Sequence, residues 1–232
     1  HRKKDLRHYV GSICSANPDL YLCVAEQETA GACLDWVKAQ MFKENVKEVY
    51  ELFDRMAADV EPGSRGLIFT PWLFGERAPV DDPTIRGGFH NLSLDHSRDH
   101  IVRAVLEGVA FNMKWALDCV EKLTQTADAI NIIGGGALSR TWCQIFADVL
   151  NRRMKQVGDP KEAGAKGAAM IAEVALGHMK RLEDAERLVR IDGVFEPNPE
   201  NAKLYEGIFE EFKNIYKNNH EMCRRLNEGK SL

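Results

Sequence analysis

A chain of 232 residues with 44% hydrophobic and 28% charged residues is long enough to bury a good core as one domain, and its composition is that of an ordinary globular protein. The formal charge of -4 argues against a general nucleic-acid binder. No apolar run approaches the length of a membrane span, and the basic opening HRKKDLRHYV lacks the apolar stretch of a secretory signal; with no initiator Met, it reads as a chain cut from something longer.

Residues 20–24 (LYLCV) predict a strand. Thr29 then opens a helix, AGACLDWVKAQM, whose apolar face is Ala32, Cys33, Trp36 and Val37. The small Ala30, Gly31 and Ala32 suit close packing against another element. A second amphipathic helix over 46–60 turns Val49, Leu52, Phe53 and Met56 inward and stops at Pro62-Gly63. Residues 66–74 are β-prone, and Pro71 marks an edge or an ending. The stretch 75–88, GERAPVDDPTIRGG, has no periodicity and is rich in Gly, Pro and charge. It is a loop longer than most connections, the kind that often carries function. Glu76, Arg77, Asp81, Asp82 and Arg86 are its candidates for polar work; the alternative is a solvated loop closed by its own ion pairs. Residues 89–94 read as a strand, and Ser97 caps a long helix, apolar at helical spacing from Ile101 to Val120. Gly108 and Ala110 mark contact points on that helix for a neighbour, and the helix is expected to lie under the glycine turn that follows.

Residues 129–150, AINIIGGGALSRTWCQIFADVL, organise the rest of the chain. Ile130, Ile132 and Ile133 make a short strand, Gly134, Gly135 and Gly136 a turn, and Ser139 an N-cap for a helix. That helix buries Trp142, Ile145, Phe146, Val149 and Leu150. Glycines without Cβ let a flat ligand or a phosphate approach the backbone, and a helix N-terminus behind them offers free N–H groups. The competing reading is a tight strand–helix turn with no ligand.

A short strand over 154–157 follows and ends at Gly158-Asp159-Pro160. The helix over 163–177 is loaded with Ala and Gly, at a cost in helix propensity that implies close approach of another helix or of a ligand ring. A short helix over 182–189 precedes the last one, which runs to Asn227 with Leu204, Ile208, Phe209, Phe212 and Ile215 inward. Strand–helix–strand–helix order after residue 128 points to an α/β layer fold. The six cysteines form no CxxC pair and read as reduced thiols of a cytoplasmic protein. Of the seven histidines only His90, His96 and His100 come near one another, too loosely to bet on a metal site.

Two nucleotide readings compete. Gly134-x-Gly136-x-x-Ser139 almost fits the dinucleotide fingerprint, and Asp159 lies after the next strand at about the ~20-residue offset expected of its acidic partner. Against NAD stand the Ser in place of the third Gly and the scarcity of parallel strands. The second reading rests on a set of ordered motifs: AGACLDW, GERAPVDDPTIRG over 75–87, GGFHNLSLDHSRDHIVRAVLEG, GGGALSRTWCQIFADVL and EAGAKGAAMIA over 162–172. Together they cover nearly the whole chain, which resembles the C-terminal domain of the FGGY carbohydrate kinases and looks closest to the xylulokinase-like members. One departure is Asn91, where the family usually has Gly.

The resemblance implies an actin-like, ribonuclease H-like ATPase domain, helix-rich around a central mixed sheet, filling residues 1–232 as one nucleotide-side domain. It implies Gly135, Gly136 and Ala137 lining an adenine pocket, Ser139 near the base, and the small-residue helix from Ala163 closing the other wall. Glu76 and Arg77 would face a cleft between two domains. ATP with Mg2+ would be the cofactors, a sugar, with a pentulose such as xylulose favoured, the substrate, and the family's N-terminal domain the partner. Nucleic acid and membrane are not expected as partners, and a homodimer stays open. The catalytic aspartate, a Gly-Thr-Ser phosphate motif and most metal ligands would lie upstream, so no catalytic residue and no metal ligand is assigned within this chain, which alone is expected to be inactive. A non-catalytic ligand-binding or assembly module is the third reading.

Overall fold

The computed structural model describes residues 4–42 and 48–229. Strands β1 (Gly11–Cys14) and β2 (Tyr21–Val24) pair antiparallel as a hairpin. Helix α1 (Gly31–Met41) follows, but its buried face is Cys33, Leu34 and Val37, while Ala32 and Trp36 lie exposed. Thr29 does not cap it. Its hydroxyl instead donates to the Pro71 carbonyl. Helix α2 (Val49–Ala58) buries Val49, Phe53 and Ala57; the expected start at 46 lies outside the described residues.

Strands β3 (Ile68–Thr70) and β4 (Gly88–His90) pair antiparallel across the long loop. β4 is shorter than expected because the chain turns at Asn91, whose φ of 62° is left-handed. Asn tolerates that conformation better than most residues, which accounts for its standing where glycine is usual, and its amide donates to the Gly66 carbonyl at 3.1 Å.

Helix α3 (Arg98–Glu121) is the centre of the molecule. Ser97 accepts from the Asp99 N–H at 3.2 Å, and His100 reaches back to the Ser97 N–H at 3.2 Å, so the cap forms as read. β3, α2 and the helix over Arg140–Leu150 all pack on α3. A Cβ on Gly108 would stand 2.1 Å from the Phe69 carbonyl oxygen, so this glycine lets the helix press directly on the β3 backbone. One turn earlier Arg103 is buried. It donates to Glu107 at 2.7 Å, to the Ala57 and Val60 carbonyls and to the Tyr205 hydroxyl. Glu107 in turn accepts from the Gly63 N–H, the Ser64 hydroxyl and the Tyr205 hydroxyl. No polar atom of this pair is left unmet, as burial of a charge requires.

β5 (Ala129–Ile132) leads through a single 3-10 turn, Gly135–Leu138, into α4 (Arg140–Leu150). β5 pairs parallel with β6 (Arg153–Val157), which pairs antiparallel with β7 (Ile191–Phe195), giving a three-stranded mixed sheet. Between β6 and β7 run helix α5 (Ala163–Ala175) and a 3-10 stretch, Leu182–Leu188, where a short helix was expected. Helix α6 (Pro199–Asn227), capped by Asn198, lies against α3 and α4. It buries Tyr205, Phe209, Phe212 and Cys223, while Leu204, expected inward, is 46% exposed. Cys23, Cys33, Cys119, Cys143 and Cys223 are free thiols. No described helix is long and apolar enough to cross a membrane.

Candidate functional site

The glycine turn opens on a cavity of about 1000 Å³. One wall is the turn itself, with Gly135, Gly136, Leu138 and Ser139. The facing wall comes from α1 and α2, through Gly31, Asp35, Tyr50 and Asp54.

The three glycines have different jobs. Gly134 has a φ of 83°, which L side chains rarely adopt, and its N–H donates to the Pro160 carbonyl at 2.9 Å; it makes the turn. A Cβ on Gly135 would meet nothing within 4 Å, so this residue holds its backbone open to the cavity. A Cβ on Gly136 would lie 3.0 Å from the Trp142 ring, so that glycine admits the indole as much as any ligand. Trp142 is fixed in turn: its indole N–H donates to the Leu106 carbonyl at 3.0 Å and its ring stacks on Phe146 at 5.4 Å. Ala137 is fully buried and does not reach the cavity; its carbonyl accepts from Gln156.

Ser139 caps α4 by accepting from the Trp142 N–H at 2.9 Å and donates its own proton to Asp54 at 2.5 Å. One hydroxyl therefore joins the helix N-terminus to the opposite wall. Burial raises the Asp54 carboxyl above its usual range, and the Ser139 bond works against that rise. Tyr50 donates to Asp35 beside it. Asp35, Tyr50 and Asp54 escaped the sequence reading because their only link to Ser139 is spatial, 85 positions away in the case of Asp54. Gly31 is open as well, with nothing within 4 Å of a Cβ, so its small size serves the cavity and not the helix packing expected of it. Helix α5, expected as the other wall, lines no part of the cavity and buries no residue; α1 and α2 stand there instead.

The long loop is not a solvated strap. Glu76 is 3% exposed and accepts from the Glu28 N–H at 2.8 Å, the Arg77 N–H at 2.9 Å and the Asn112 amide at 2.8 Å. Asn112 accepts from the Trp72 indole at 2.9 Å, tying loop to α3. Burial pushes the Glu76 carboxyl up to about 7, against the pull of those three donors. Arg77 is half-exposed and pairs with Glu26 and Glu28. Asp82 accepts from the Thr84 and Ile85 N–H groups and the Thr84 hydroxyl, which occupies it in holding the loop. Neither Glu76 nor Asp82 lines the cavity.

The family model for the C-terminal domain of the FGGY family of carbohydrate kinases matches residues 6–176. The chain belongs to the FGGY family. It is 37% identical over 210 residues to the xylulose kinase of Staphylococcus epidermidis, covering 90% of this chain and 42% of that one. It is 28% identical over 193 residues to the gluconokinase of Bacillus subtilis, covering 80% of this chain and 37% of that one. Among solved structures, the xylulose kinase of Rhodospirillum rubrum superposes with a TM-score of 0.84 at 29% identity, covering 96% of this chain and 44% of that one. The actin-like ATPase fold of the FGGY kinases is thus the fold of this chain, which spans about two-fifths of the length of the curated relatives it matches.

The cavity joins a Cβ-free backbone at Gly135, a second open glycine at Gly31 opposite, and apolar residues beneath. For a divalent cation the fit fails, since no group of three acidic, His or Cys side chains gathers among the described residues. His96 and His100 lie ring to ring at 5.6 Å, but His100 serves the α3 cap.

Proposed function

We propose that this chain is the nucleotide-binding half of a carbohydrate kinase that moves the γ-phosphate of ATP to a sugar hydroxyl, with a pentulose such as xylulose as the substrate. The observation that carries the reading is the Gly135 backbone open to a cavity of about 1000 Å³ in a chain with an FGGY C-terminal match. The adenine would lie between the glycine turn and the Gly31 end of α1. Ser139 and Asp54 would hold the two walls in register around it, and the Ser139 cap leaves the remaining first-turn N–H groups of α4 for an anion.

In such a kinase the sugar hydroxyl loses its proton to a carboxylate base, its oxygen attacks the γ-phosphorus, and the bond to the ADP oxygen breaks. Phosphoryl transfer of this kind rests on positioning and electrostatics contributed by both halves of a site. This chain supplies the ADP end. The base, the phosphate clamp and the sugar pocket are assigned to the family's N-terminal domain, and the 232 residues act as one domain facing it in the cytoplasm. The preference for a pentulose rests on the xylulose kinase relatives.

Thermal stabilisation tests the nucleotide reading, since a ligand that binds only the native state raises Tm. ATP and ADP are expected to raise Tm and NAD to leave it unchanged. Stabilisation by NAD alone would overturn the reading in favour of a dinucleotide site. Asp159, the residue such a site would need, is engaged with Lys166 at 2.9 Å and Arg190 at 3.3 Å.

A further inference from the structure

Charge is divided unevenly around the cavity. Asp35 of α1, Glu51 and Asp54 of α2, and Glu48 just ahead of α2 line one wall. Among the described residues the only cation on the lining is Lys161, on the side of the glycine turn. The fold fixes that side. Lys161 lies in a single 3-10 turn, Pro160–Glu162, directly after β6. The Pro160 carbonyl accepts from the Gly134 N–H at 2.9 Å, so the residue that follows Pro160 stands against the turn.

The Lys161 ammonium has no carboxylate within ion-pair distance among the described residues. Lys166, five positions on, differs: Asp159 holds it at 2.9 Å and the Gly158 carbonyl at 3.0 Å. Across the cavity, two of the carboxylates already accept a proton donor, Asp35 from Tyr50 and Asp54 from Ser139. Burial raises the Asp54 carboxyl, and the charge of Glu51 adds to the rise, so like charges on that wall feel one another. Such a wall repels an anion and receives hydrogen-bond donors. An unpaired ammonium facing it across the same space draws the anion to its own side.

We propose that Lys161 holds the phosphates of the nucleotide, and that the acidic wall turns the base and sugar the other way, a role that rests on the nucleotide reading above. The cavity is then polar in direction: nucleoside toward α1 and α2, phosphates toward Lys161 and the glycine turn. A lysine suits the task, because its compact charge rides on a flexible four-carbon stem that can follow a phosphate. Lys161 is exposed, so changing it removes no buried packing.

Ligand-detected NMR titration of the 232-residue chain with adenosine and with ADP, without added metal, tests this. Adenosine reads the seat of the base, and ADP adds only the phosphates. The chain is expected to bind ADP at least about tenfold more tightly than adenosine. Lys161→Met is expected to weaken ADP binding about tenfold and to leave adenosine within about twofold. Lys161→Arg is expected to keep most of the ADP affinity. Lys203→Met removes the same charge from α6, outside the cavity, and is expected to change neither ligand. Equal wild-type affinities for the two ligands, unchanged ADP binding by Lys161→Met, or an equal weakening of both ligands by it would each overturn the proposal and leave the nucleotide reading in place. An equal loss of ADP affinity from Lys203→Met would overturn it too, since net charge and not position would then be at work. Binding of neither ligand by the wild-type chain would overturn the nucleotide reading and the role of Lys161 with it.

Discussion

Gly135 and Gly136 are neighbours with opposite surroundings. At Gly135 a side chain enters empty cavity, with no positive φ to strain it; at Gly136 it strikes the Trp142 ring at 3.0 Å. Gly135→Val is therefore expected to keep its Tm while weakening adenine-nucleotide binding at least about tenfold, read by titration calorimetry. Gly136→Val is expected to lose about 1–3 kcal/mol of stability through overpacking. Normal ADP binding by Gly135→Val would remove the adenine from this wall. In the sequence the three glycines are indistinguishable, because the identity of a residue does not report which way its missing Cβ would point. Glu76 carries a second prediction. Its folded carboxyl sits at about 7 against an ordinary 4.5, so the folded chain holds this proton more tightly than the unfolded one. Stability from this group is fully present below about 4.5, falls as pH rises through about 7, and is gone above. The full drop is up to about 3 kcal/mol. Urea unfolding at pH 5 and pH 8 is expected to show that loss in the wild type and a flattened difference in Glu76→Gln.

At the scale of elements, the long periodic segments were legible. α3 and α4 appear where apolar spacing and the Ser97 and Ser139 caps put them. What escaped was set by neighbours far away in sequence. β7, IDGVF, has too little alternation to announce a strand, and it forms because Met154 of β6 offers a partner for Phe195. The apolar stripe of α1 is rotated from the one expected, since Trp36 turns outward while Leu34 packs. The Ala/Gly composition of α5 suggested contact, and the helix makes no buried one here. Gly108 is the converse case, a contact point visible in the sequence and realised against β3. Gly108→Ala puts a methyl 2.1 Å from the Phe69 carbonyl oxygen, where backbone and not a flexible side chain must yield. A loss of about 3 kcal/mol or more in denaturant unfolding is expected; a loss below about 1 kcal/mol would mean that α3 and β3 can separate freely.

For the whole molecule, the family was legible because several motifs occur in one order, whereas the walls of the cavity were not. α1, α2 and the glycine turn meet only in three dimensions. The chain spans 42% of the S. epidermidis relative, and two of its loop carboxylates are committed to structure, Asp82 to the Thr84 turn and Glu76 to Asn112. Losing the general base alone costs a kinase about 10²–10⁴-fold in rate, and the phosphate clamp is a further loss. The most direct measurement is ATP consumption over a panel of ketoses, aldoses and polyols, run on the purified 232-residue chain and on the product of its whole reading frame. The account predicts no sugar-dependent turnover from the chain alone and turnover with a sugar, a pentulose foremost, from the longer protein. Sugar-dependent turnover by the 232-residue chain, or none from the longer protein with any sugar tried, would contradict it.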